Sequence, residues 1–459
     1  MMTKTQLVIN HIIDNIQWQI YRVGSKVPSV RVLAKELGVS PYTVVTAYDS
    51  LVAQGYLTAI KGSGYFVATP NQPQQSPTSA VNLPTMTGNV LETSWLLQHL
   101  FNNTPAERAS GTGLLSSDWL YPADKLAKAH KKASQSLQFV YNYGNIQGYL
   151  PLREQLARQL AESHIHTHPE TMLTTTGVSS AIELIARAMC KVGDTVLVDD
   201  PTWFWIIGCL QQLGLNVIGI ERNEKGINLD ELEQALNTYR PKLYITNSVL
   251  HNPTGYNLPP SNVFDVLKLM EQHDCYIVED DVYHYFCEDK TAMRYATLDG
   301  IKRVFYVTGV SKILGAGWRV GLIASPEQHL EKLLRQKMFS NMTTPELTER
   351  PIYQIWQDSY YKKHLSQIQQ RLSLAHASLQ QRITQIGLSY PTGVRQGLFA
   401  WVDVGMDSRE LALQAHKDNW LVAPSHLFSP TARYQTHIRL NVTRTSDEFL
   451  AWLKAYLIG

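Results

Sequence analysis

Apolar residues at helical spacing open the chain. Leu7, Val8, Ile12, Ile16 and Ile20 fall on one face between Lys4 and Tyr21, which predicts an amphipathic helix. A second helix is expected after Ser29, a suitable N-cap. It would run through Val30, Leu33, Ala34 and Leu37 to Gly38, which accepts the left-handed conformation of a helix end. A third begins at Ser40 with Pro41 in its first position and continues through Val44, Val45, Tyr48 and Leu51 to Gly55. Two short apolar stretches then flank Lys61-Gly62-Ser63-Gly64, the pattern of a hairpin. Residues 69–91 contain no charge and are rich in Pro, Gln, Ser and Thr, so a linker is expected there. Beyond about residue 95, strand-like runs such as Thr195–Val198, Lys242–Thr246 and Tyr276–Val278 alternate with helical patterns, which implies an α/β domain. The expected division is a head over 1–70, a linker over 71–94 and a body over 95–459.

Composition narrows the function classes. A chain of 459 residues exceeds one ordinary domain, and a formal net charge of +2 argues against indiscriminate coating of nucleic acid or an anionic membrane. The head is nonetheless basic: Lys4, Arg22, Lys26, Arg31, Lys35 and Lys61 face only Asp14, Glu36 and Asp49. That imbalance suits a local contact with phosphates. Four separated cysteines with no C-x-x-C pair suggest a reduced compartment and no metal site. The alternating His164, His166 and His168 before Pro169 read as a solvated loop. There is no basic-then-apolar leader pattern, and no apolar run reaches the roughly 18–20 residues of a membrane span. A soluble, cytoplasmic protein without a membrane partner is expected.

Three helices and a hairpin within about 70 residues are the parts of a winged helix-turn-helix, whose recognition helix enters the major groove of DNA. The stretch from Val27 to Val67, with Pro28-Ser29-x-Arg31 and Gly62-Ser63-Gly64, resembles the GntR family. That resemblance implies a double-stranded DNA operator as partner. Ser29 and Arg31 would touch phosphates, Tyr42 and Thr43 would face the groove, and Lys61, Gly62 and Ser63 would form the wing contact. Pro41 stands where many members carry arginine.

Further along, His251-Asn252-Pro253-Thr254-Gly255, then Glu279-Asp280-Asp281-Val282-Tyr283, then Ser311-Lys312-x6-Arg319 occur in an order and spacing that resemble the fold type I aminotransferases. Pyridoxal 5'-phosphate is the cofactor implied. Lys312 would be the Schiff-base lysine, Asp280 would pair with the pyridine nitrogen, and Asn252 and Tyr283 would donate to the phenolic oxygen. Arg319 and Ser311 would grip the phosphate with the helix start at Val178 and Ser179, where unpaired amides favour an anion. Trp203, after Asp200-Pro201-Thr202, stands where the family puts a ring over the cofactor, core packing being its alternative. Tyr143, in Tyr143-Gly144-x3-Gly148-x4-Arg153, resembles the tyrosine that crosses a dimer interface to the neighbour's phosphate, which implies a homodimer. Arg439, in His437-Ile438-Arg439-Leu440, resembles the arginine that binds a substrate carboxylate. The family commonly has Ser or Thr three residues before the lysine, whereas this chain has Gly309, with Thr308 one position away.

A GntR-type head joined to an α/β, fold type I aminotransferase-like body resembles the MocR subgroup of transcription regulators. The resemblance implies regulation by the cofactor or by an amino acid or other amine effector. The alternative is a catalytically active aminotransferase that carries a DNA-binding domain.

Overall fold

The computed structural model describes residues 4–17, 21, 24–60, 62–68, 104–135, 138–289 and 291–458. The chain divides into two compact units, Met1–Asn89 and Val90–Gly459. Lys61, Ile20, Arg22 and the linker expected over 71–94 lie outside the described residues.

In the first unit, α1 (Lys4–Gln17), α2 (Val30–Leu37) and α3 (Pro41–Ala53) are followed by β1 (Leu57–Ile60) and β2 (Gly64–Val67). Val8, Ile12, Leu33, Val44, Tyr48 and Leu51 are fully buried and close the core between the helices. Burial of each contributes about 1.5–3 kcal/mol, which holds together a unit too small for wasted positions. Gly38 ends α2 at φ 64°. Ser29 occupies the N-cap position of α2 but its side chain makes no capping bond, whereas Ser40 Oγ accepts from Thr43 N at 3.1 Å. α3 stops at Ala53, and Gly55 takes the following turn at φ 77°. β1 and β2 pair antiparallel from Leu57↔Val67 to Ile60↔Gly64. A bridge between Lys26 and Phe66, with Val27 N donating to Tyr65 O at 3.0 Å, adds a third segment that no alternating pattern announced.

The second unit is built on an eight-stranded sheet. Its strands are β3 (Met172–Thr175), β4 (Thr195–Asp200), β5 (Asn216–Asn223), β6 (Gly226–Ile227), β7 (Leu243–Thr246), β8 (Tyr276–Asp280), β9 (Val304–Gly309) and β10 (Gly321–Ala324), in the order β3-β10-β9-β8-β7-β4-β5-β6. From β9 to β5 every pairing is parallel, while β10 runs antiparallel to β3 and β9. Parallel strands need crossovers, and the intervening helices supply them. The inner strands are buried on both faces and read as continuous apolar runs such as Val304-Phe305-Tyr306-Val307. A smaller antiparallel sheet, β11 (Phe399–Asp403), β12 (Ala423–Pro424) and β13 (His437–Asn441), follows the long helix Ser359–Gln385. Among the described residues no helix is long and apolar enough to cross a membrane.

Candidate functional site

Open parallel sheets present their ligand crevice beyond the carboxyl ends of the strands. Several singled-out residues sit at those ends. Trp203 follows β4, Asn252 lies on the loop after β7, Asp280 ends β8, and Lys312 follows β9 on a turn. The helix Val178–Met189 starts just after β3, with Val178 and Ser179 in its first turn.

The cleft is held by a chain of polar contacts. Lys312 Nζ donates to Gly113 O at 2.9 Å and lies 5.7 Å from the centre of the Tyr283 ring. Arg439 donates to Asn252 Oδ1 at 2.8 Å and to Gly111 O at 2.6 Å, and Asn252 Nδ2 donates to the Tyr283 hydroxyl at 3.3 Å. Tyr283 packs edge-on against Phe399, the ring that lies 4.5 Å below the Arg439 guanidinium. The structure thus brings together Lys312, Asn252, Tyr283 and Arg439. It adds the backbone of Gly111 and Gly113, which the sequence reading missed. The Gly-Thr-Gly run was their one local signal: a Cβ on Gly111 would lie 2.5 Å from Ala423 N.

Charge in this cleft is poorly compensated. Arg439 is 1% exposed, has no carboxylate partner among the described residues, and keeps an unpartnered Nε. Burial pushes its guanidinium down to about 10. Asp280 makes no ion pair among the described residues; its Oδ1 accepts from Val282 N at 3.1 Å, and burial pushes its carboxyl up to about 7. Burial, helped by the Arg439 and Arg319 cations, brings the Lys312 ammonium down to about 8. Desolvation likewise raises the Tyr283 phenol.

Beside these groups, Arg319 takes a left-handed conformation at φ 45° and donates to Thr176 O at 3.1 Å and to Ser179 Oγ at 2.9 Å. Its guanidinium lies against Gly177, where a Cβ would approach to 2.6 Å and where φ is 91°. Thr176, Ser179 and Arg319 line a cavity of about 770 Å³ that continues to Phe339 and Asn341. Ser311 stands half-buried after Val310. Thr308 is fully buried, with its hydroxyl 3.1 Å from His284 Nδ1 and bonded to Asp281 O. It is committed to the sheet and does not replace the hydroxyl that Gly309 lacks. A side chain at 309 has no room, since its Cβ would meet Val320 O at 2.9 Å. Two residues stand apart from the cluster: Trp203 is half-buried and stacked on Trp205 at 5.1 Å, and Tyr143 is 78% exposed.

On the head, Ser29, Arg31, Tyr42, Gly62 and Ser63 are exposed. Tyr42 shows 81% of its surface although it is aromatic. Thr43 is half-buried and its hydroxyl pairs with Ser40 Oγ at 2.8 Å, so it serves the start of α3 as well as any outside contact.

Comparison with known proteins agrees with both units. The aminotransferase class I and II profile matches residues 111–454, and that of the bacterial regulatory proteins of the gntR family matches 4–67. The HTH-type transcriptional regulator YjiR of Escherichia coli is 29% identical over 456 residues, covering 96% of this chain and 95% of its own. The probable rhizopine catabolism regulatory protein MocR of Rhizobium meliloti is 25% identical, covering 75% of this chain and 70% of its own. Among solved structures, the α-aminoadipate aminotransferase LysN of Thermus thermophilus, complexed with N-(5'-phosphopyridoxyl)-L-leucine, superposes with a TM-score of 0.71 at 22% identity, over 79% of this chain and 93% of that one. With three quarters of its length matched in this way, the chain belongs to the aminotransferase class I and II family, and its gntR-family head gives it the two-part organisation of the MocR-like regulators.

Proposed function

We propose that the protein is a cytoplasmic, homodimeric transcription regulator that binds a DNA operator through its head and depends on pyridoxal phosphate in its body, where the cofactor or an amino compound is sensed. One observation carries this reading: Lys312, Asp280 and Arg439, three buried or partly buried ionisable groups without ion-pair partners among the described residues, converge on one cleft in a chain that also bears a gntR-type head.

The donor set fits the cofactor. Asp280 is a buried carboxylate in want of a cation, which a protonated ring nitrogen provides. Gly321 lets the Gly177 backbone pack against it, and Gly177 in turn lets the Arg319 guanidinium lie over it, which sets that cation beside the helix start at Val178 and Ser179, where an anion is favoured. When bound, the cofactor supplies a reactive aldehyde on an electron-withdrawing ring. Lys312, lowered to about 8, would be the residue that holds the aldehyde end, and part of its amine is neutral near neutral pH. Asn252 and Tyr283 would hold the phenolic oxygen, Ser311 and Arg319 the phosphate, and Trp203 one face of the ring. Arg439 would take the carboxylate of an amino acid by a bidentate fork once its bonds to Asn252 and Gly111 are exchanged. Tyr143, outward in one chain, would reach the phosphate of a second copy. On the head, Ser29 and Arg31 would touch phosphates, Tyr42 and Thr43 the groove, and Lys61 to Ser63 the flanking backbone.

The names of its relatives favour regulation over metabolism. An effector then acts only as far as it binds two arrangements of the dimer unequally. Purified protein supplied with pyridoxal phosphate is expected to show a visible absorbance band and an operator affinity that changes with the cofactor or with a set of amino acids. Operator affinity indifferent to both would refute the sensing role, and steady release of oxo acid would assign the body to catalysis instead.

A further inference from the structure

Behind the cleft lies a buried polar network that none of the roles above uses. We infer that Arg222, paired with Asp199, is the positioning residue of the cofactor pocket, tying together the three turns that carry Trp203, Asn252 and Asp280. The inference rests on the cofactor reading and deepens it.

Arg222 on β5 and Asp199 on β4 are both fully buried. One arm of the guanidinium donates to Asp199 Oδ2 at 2.9 Å and to Asn247 O at 2.6 Å, and the other donates to Tyr256 O at 3.2 Å. The loop that bears Asn252 is thereby gripped at both ends by one rigid fork, a geometry that lysine cannot reproduce. Asn247 extends the grip: its Oδ1 accepts from Asn252 N at 2.9 Å, and its Nδ2 donates to the carbonyl of Asp280. Asp199, four residues before Trp203, also accepts from Thr246 Oγ1 at 2.9 Å and from the Tyr244 hydroxyl. His251 Nε2 stands 3.3 Å from the same carboxylate, and burial beside Arg222 holds this imidazole near 4 and therefore neutral. A buried ion pair is weak support for stability as such, because two well-shaped neutral groups serve a core as well. Its two bonds to the ends of the Asn252 loop, at Asn247 and Tyr256, and the two it accepts from Tyr244 and Thr246 on the strand that leads into that loop point to registry.

The test compares wild type with the charge-free double variant Asp199→Asn/Arg222→Met and with Arg222→Lys. In cofactor-free protein, amide hydrogen exchange is expected to accelerate at 247–256 and 280–283 while the far strands β3 and β10 keep their protection. With pyridoxal phosphate added, the affinity should fall roughly tenfold, the scale of losing support behind a first contact. The pH midpoint of the visible band should rise by about half a unit or more, because a loosened Asn252 stabilises an anionic phenolic oxygen less well. If the double variant does not fold, Arg222→Lys decides, with the same signs. Exchange, affinity and midpoint all equal to wild type would overturn the inference; exchange raised everywhere alike would reduce the pair to a structural role. A wild type that takes up no cofactor would instead sink the functional reading.

Discussion

Replacing Asp280 by asparagine should move stability and ligand affinity in opposite directions. In the cofactor-free protein, burial lifts this carboxyl from 3.8 to about 7. The folded state therefore binds the proton more tightly than the unfolded chain does. The group's contribution is complete below pH ~4 and is lost as pH climbs through about 7. About three pH units at 1.36 kcal/mol each give a ceiling of about 4 kcal/mol of destabilisation at pH 8. Asparagine keeps an oxygen for the Val282 amide and carries no such penalty. Glu279, also raised to about 7, is common to both proteins and cancels in the difference. Thermal melts from pH 5 to 8 without cofactor should show Asp280→Asn ahead of wild type by a few degrees at pH 8, about 2 °C per kcal/mol at this size, with the gap narrowing as pH falls. With pyridoxal phosphate the order should reverse, because the variant cannot balance a ring cation. Parallel pH profiles for the two proteins would refute the claim that Asp280 lacks a partner, and equal cofactor affinities would remove it from the ring nitrogen.

Borohydride reduction of cofactor-loaded protein should trap an adduct on Lys312 by peptide mapping, and Lys312→Ala should abolish it. Arg439→Met should leave the cofactor-free melting temperature unchanged or higher, since no carboxylate is orphaned, while weakening any amino acid response by about 2–5 kcal/mol, or about 30-fold and more in titration. Gly177→Ala places a Cβ against Arg319 at φ 91° and should cost about 1–3 kcal/mol in denaturant unfolding, with weaker cofactor binding. Arg31→Ala should weaken operator binding in gel-shift titrations and reduce the salt slope by about 1; an unchanged slope would take Arg31 off the phosphates.

Legibility in the sequence followed the range of the contacts. The helices of the head, its hairpin, and the strands ending near Asp200, Thr246 and Asp280 declare themselves because period and cap are local. Asn252, Asp280 and Lys312 could be singled out because each sits in a short run of residues whose order and spacing resemble the fold type I aminotransferases. The Lys26 bridge to the hairpin has no such pattern, since a single paired residue has no period. The partners of Arg439 lie 187 and 328 residues away, and the Arg222 fork joins residues whose only common feature is proximity in the folded sheet. Thr308 shows the opposite error open to a linear reading. One residue from the expected hydroxyl position along the chain, it faces the other side of its strand and is spent on Asp281 and His284.

The same geometry says how one ligand would feel another. Asn252 is shared: its oxygen holds Arg439 and its nitrogen holds the Tyr283 hydroxyl. A carboxylate drawn to Arg439 must displace or share that oxygen, and the amide then turns or tightens toward the phenolic side. With Asn252 at the phenolic oxygen as proposed, binding at the arginine would be coupled to the environment of that oxygen through a single side chain. Coupling of this kind is reciprocal, so a cofactor that orders Asn252 must alter the affinity of Arg439 for carboxylate by the same factor. Asn252→Ala should accordingly uncouple the two: cofactor affinity measured with and without a saturating amino acid would differ in wild type and coincide in the variant. If the difference persisted without the Asn252 amide, the connection would have to run through the backbone of Gly111 and Gly113 instead.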